Sequence, residues 1–96
     1  MHVANVSVNK NWKNLEDLIS EKTGSEFTFD SSKNYYLTNC GGFPVLFLNQ
    51  ENEPTESDMS GLKVDIMEQC GLKLTTGKVF TRCLPGITDI HIEVEE

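Results

Sequence analysis

Cysteine is scarce in this chain of 96 residues, and the three present, Cys40, Cys70 and Cys83, are far apart. Structural zinc sites open on a close C-x2-4-C step, because one tight turn then presents two ligands. No such step occurs here, and neither does the dense cysteine framework of a small secreted protein. Basic residues are also few. Eight Lys and Arg stand against fifteen Asp and Glu, a net charge of −7. An acidic surface is repelled by nucleic-acid phosphates and anionic membranes, so neither is an expected partner. No window approaches the roughly 20 apolar residues of a membrane-spanning helix. Residues 1–25 hold no apolar core of a secretory signal, which predicts folding in a reducing cytosol with the thiols free.

Catalytic signatures are missing as well. There is no phosphate-binding Walker loop, H-E-x-x-H helix, G-x-S-x-G elbow or dinucleotide fingerprint. Histidine occurs only as His2 and His91. A Ser, His and acid trio chosen from such a chain has too few candidates for its base to mean anything. The loop at 50–61 carries Glu51, Glu53, Glu56 and Asp58. It lacks the central Gly and terminal Glu of a calcium-binding EF-hand loop and has Pro54 instead, so a solvated loop is expected. The reading is of a protein that is not an enzyme and has no cofactor, no bound metal and no small-molecule substrate. A minor hydrolase has no positive feature in its favour.

What is present is alternation. The most apolar run is 35–49, YYLTNCGGFPVLFLN, which reads as two strands around a bend at Gly41-Gly42, with Pro44 at the start of the second. Val45 to Leu48 is continuously apolar, as in a strand covered on both faces. Ala4, Val6 and Val8 alternate with polar residues in an N-terminal strand or arm at 1–10. Trp12, Leu15, Leu18 and Ile19 recur at spacings of three and four and predict one short helix near 13–23. Asn14 or Asn11 can cap its start, and Gly24 suits its left-handed end. A strand is expected over Phe27 and Phe29, another over Leu62, Val64 and Ile66, and others over 72–75 and 79–83. Turns are expected at Gly71, Gly77 and Pro85-Gly86. In the last strand Ile90, Ile92 and Val94 face inward, and His91 sits in a solvated position on the polar side. The fold class is mainly β, a small β-sandwich or partly open β-barrel with one short N-terminal α-helix, and residues 11–96 form a single compact domain.

The order of segments resembles a known group. Asn11-Trp12-x-Asn14-Leu15 leads to Gly24-x-x-Phe27, then to Tyr35-Tyr36-Leu37-x-Asn39-x-Gly41, Pro44-Val45 and Glu53-Pro54-Thr55, with Gly61 closing the loop. Gly77-x-Val79-Phe80-x-Arg82 and Gly86 follow. This succession resembles small β-rich virion structural proteins of tailed bacteriophages, found as capsid decoration or tail-associated parts. The resemblance implies a non-enzymatic protein made in the host cytoplasm and carried in the virion. It also implies partners among other capsid or tail proteins and copies of itself, bound as a repeated lattice. It brings no site residues with it. From the residues, the expected partner interface is Ala4, Val6 and Val8, added as a strand to a neighbour's sheet edge, with Trp12 as a second anchor. The alternative is a small phage-type inhibitor of a host defence protein, acting by protein–protein binding.

Overall fold

The computed structural model describes residues 1–30, 32–72, 78–83 and 86–95. Eight strands and one helix follow in the order β1 (His2–Val8), β2 (Lys13–Asn14), α1 (Leu15–Thr23), β3 (Tyr35–Asn39), β4 (Val45–Gln50), β5 (Leu62–Val64), β6 (Gln69–Leu72), β7 (Lys78–Cys83) and β8 (Thr88–Val94). They form two four-stranded sheets, ordered β1-β8-β3-β6 and β2-β7-β4-β5, with every neighbouring pair antiparallel. The sheets share no strand pairing, so the protein is a sandwich and not a closed barrel. Alternation places Val6, Val8, Leu37, Ile90 and Ile92 of one sheet and Val45, Phe47, Val64, Val79 and Cys83 of the other in a common core.

The helix starts and stops where its residues dictate. The Asn14 side chain accepts from the N–H groups of Glu16 at 2.9 Å and Asp17 at 3.4 Å, satisfying two of the orphan donors of the first turn. Gly24 ends the helix at φ 75°, in the left-handed region, with its N–H returned to the Ser20 carbonyl. Leu15 and Ile19 are fully buried, and α1 packs on β1 and β7, one strand from each sheet. Leu18, on the same face, is only partly covered.

Several expectations need correction. Residues 26–30 are extended, and Phe27 and Phe29 are half-buried, but no strand pairs with them. Their N–H groups bond instead to Ser20 Oγ (2.9 Å) and Glu16 Oε2 (2.8 Å) on the helix. The strand expected through Ile66 stops at Val64. Only Val64 of that series is buried: Leu62 is exposed on the edge strand, and Ile66 falls in the turn that follows. The bend at Gly41-Gly42 lies between two strands as expected, and it carries the chain from β3 in the first sheet to β4 in the second. Gly41 is held closely there. A Cβ at that position would collide with the Thr88 side chain and lie 2.7 Å from the Asp89 nitrogen. Gly71, expected at a turn, lies within β6, which ends at Leu72; the rest of the segment expected over 72–75 and the turn signals at Gly77 and Pro85 lie outside the described residues.

The loop after β4 is tied down rather than free. Pro54 is buried, the Trp12 indole N–H donates to the Asp58 carbonyl at 3.0 Å, and Arg82 Nη1 donates to the carbonyls of Glu56 (2.7 Å) and Asp58 (3.2 Å). The Arg82 guanidinium lies 5.2 Å from the Trp12 ring centre and is itself almost fully covered. This strap runs over the outer side of the second sheet, where Leu46 and Leu48 are half-buried.

Candidate functional site: an apolar end held by Asn39

The residues expected to meet a partner lie inside the protein. Ala4, Val6 and Val8 belong to β1, the outermost strand of the first sheet, and their side chains are buried in the core. Period-two alternation marks a strand with one covered face, and here the cover is the protein's own second layer. Trp12 is buried too, under the strap, so it is an anchor of the fold. The structure does not bring these four residues together at a surface.

At the other end of β3 a single polar side chain gathers the chain. Asn39 is buried, and its amide uses its full hydrogen-bonding capacity. Nδ2 donates to the carbonyls of Phe43 (2.7 Å) and Val64 (3.1 Å), while Oδ1 accepts from the Gly41 N–H (3.1 Å) and the Thr88 hydroxyl (2.7 Å). Its main chain adds two bonds, to the Glu68 carbonyl at 3.0 Å and from the Met67 N–H at 2.9 Å. The bend at 40–44, the end of β5, the turn at 65–68 and the start of β8 are therefore all tied to one residue.

Three of those segments expose large apolar side chains. Phe43, Ile66, Met67 and Ile87 are exposed by 39%, 48%, 76% and 64%. The Phe43 ring lies over Gly86, where a Cβ would come within 2.9 Å of it. Ile66 and Met67 are the central residues of a turn closed by the Glu68 N–H on the Asp65 carbonyl at 3.0 Å. Met67 has φ 67°, the only positive φ of a non-glycine residue among the described ones. With Ile66 at negative φ this is the arrangement of a type II turn, whose third position favours Gly. Asp65 and Glu68 flank the pair, and Lys63 reaches Asp65 at 3.5 Å.

The outer face of the first sheet is polar. His91 is not simply solvated as expected: Nδ1 lies 2.8 Å from Asn5 Oδ1 and Nε2 lies 2.8 Å from Glu93 Oε1. The His2 ring stands beside it, 4.6 Å between centres. Ser7 Oγ donates to Asp89 Oδ1 at 2.7 Å, across the β1–β8 pair. Asn5, Ser7, Asp89 and His91, with Lys22 and the exposed Cys40, border a shallow hollow of about 400 Å³. The serine is bonded to a carboxylate and not to the imidazole, and both imidazole nitrogens are engaged elsewhere, so the geometry is not that of a nucleophile and its base. Burial pushes the thiols of Cys70 and Cys83 up, with Glu68 adding to the effect at Cys70, which keeps both protonated and weakly nucleophilic at neutral pH. Among the described residues no three His, Cys, Asp or Glu side chains converge as a metal site.

Sequence reasoning missed the apolar end because Ile66 fitted a period-two series with Leu62 and Val64. The available signal was the pair itself: Ile66-Met67 places two apolar residues side by side between Asp65 and Glu68, which breaks alternation. No family model, curated protein or solved structure matches this chain.

Proposed function

We propose that this protein is a non-enzymatic structural component of a tailed-bacteriophage virion, bound in many copies to a repeated protein lattice of the capsid or tail. The observation that carries the reading is the end of the sandwich built around Asn39. There a buried, fully bonded amide ties four backbone segments together, and three of them, the bend at 40–44, the turn at 65–68 and the approach to β8, present large apolar side chains to solvent. Apolar groups grouped at one end of a rigid scaffold are characteristic of protein contact surfaces. The succession of segments from Asn11 to Gly86, similar to small phage virion proteins, supplies the context. Copies spaced by a lattice gain avidity from weak individual contacts, so each needs only a small patch. The contact moves from the expected β1 residues, which are core, to this end.

The test is quantitative mass spectrometry of purified particles from the phage that encodes the protein. Presence in a fixed ratio to the major capsid or tail subunit is expected. Absence from washed particles, with the protein found only in infected-cell extract, overturns the reading.

A further inference from the structure

Building on that reading, we infer that the 65–68 turn is the plug of the contact, with Ile66 and Met67 entering an apolar recess on the lattice subunit, and that the recess is rimmed by Lys or Arg. The first ground is the backbone of Met67. A residue with a Cβ is held at φ 67°, in a turn position that Gly would occupy without strain. Its side chain recovers little for this within the protein, since it is the most exposed of the large apolar residues among those described. The position is also over-determined from outside: the Met67 N–H is taken by the Asn39 carbonyl and the Glu68 carbonyl by the Asn39 N–H. Strain kept in place by a buried hub and spent on an exposed apolar side chain has its use at an interface.

The second ground is charge, which selects the occupant. Asp65 and Glu68 flank the pair, with Lys63 beside Asp65, and the whole chain carries −7. A second copy would bring the same acids and the same net charge against them, and an anionic bilayer would be repelled in the same way. A protein recess with a basic rim matches both the apolar pair and its acidic surround.

Binding is measured to purified particles from a phage in which the gene for this protein has been deleted. Wild-type protein is expected to bind, and binding is expected to weaken as salt is raised. Met67→Gly is the decisive variant, because it should melt at a higher temperature than wild type while binding at least tenfold more weakly. Ile66→Ser, at an exposed position, should fold normally and bind weakly as well. If wild-type protein does not bind the particles, the virion reading itself fails. If it binds and Met67→Gly binds equally well, the plug alone is overturned. Binding that does not weaken with salt overturns the basic rim. A wild-type oligomer that Met67→Gly converts to monomer overturns the choice of occupant in favour of a second copy.

Discussion

Tyr36 and Glu95 hold one another at one end of the central β3–β8 pair of the first sheet, the phenol donating to Glu95 Oε2 at 2.7 Å while Asn34 Nδ2 adds a bond at 3.3 Å. The Tyr36 hydrogen bond, then that of Asn34, lowers the Glu95 carboxyl below its ordinary 4.5, and the same contact raises Tyr36 above 10.0. The signs give a two-sided pH dependence. A lowered carboxyl contributes stability above about pH 4.5, lost as pH falls through its folded value; a raised phenol contributes below about pH 10, lost as pH rises through its folded value. Tyr36→Phe should therefore be less stable than wild type near neutrality, with the gap closing at both extremes in urea denaturation series. Both groups are exposed, so the effect is small, and a gap independent of pH would show that lost packing dominates. Thr81 gives an opposite case. It is fully buried in β7, and its hydroxyl has no partner among the described residues. Exchanging that oxygen for a methyl group removes a desolvated polar atom, so Thr81→Val should raise stability by about 1 kcal/mol in the same assay. A loss of stability would mean that the hydroxyl is satisfied in solution. Neither feature was legible in the sequence, since both depend on which strands become neighbours.

Among the elements, α1 was the most legible, because its signals are local: Asn14 before the first turn, Gly24 after the last, and Leu15 and Ile19 four apart. The strands were legible as alternation, but alternation does not say what covers the apolar face. For β1 the answer is the core, so removing it strikes at the fold itself. Deleting residues 1–9 takes away Ala4, Val6 and Val8 and uncovers their neighbours on α1 and β8. The two valines alone contribute about 3–6 kcal/mol, comparable with the entire stability of a small domain, about 5–15 kcal/mol. The truncated protein should show no cooperative thermal transition. A sharp transition near the wild-type midpoint would mean that β1 is dispensable. Residues 26–30 failed as a strand for the opposite reason. Helix side chains supply their hydrogen-bond partners, a non-local arrangement that period-two alternation of Phe27 and Phe29 cannot reveal.

At the scale of the whole molecule, the mainly β class was readable from composition and periodicity, and the choice of sandwich over barrel was not. That choice rests on the crossing at 40–44 and on which edges pair, both set by long-range contacts. The apolar end was half visible: Asn39-x-Gly41 stood out as a motif, but nothing local shows that Asn39 reaches Val64 and Thr88. Three of the four partners of its amide are main-chain atoms, at Gly41, Phe43 and Val64, and the fourth is the Thr88 hydroxyl. Every residue has a peptide group. The frame is thus indifferent to the side chains it holds out at 43, 66 and 87, whereas position 67, at φ 67°, constrains its own residue. The character of that end can therefore be rewritten in three letters without refolding the rest.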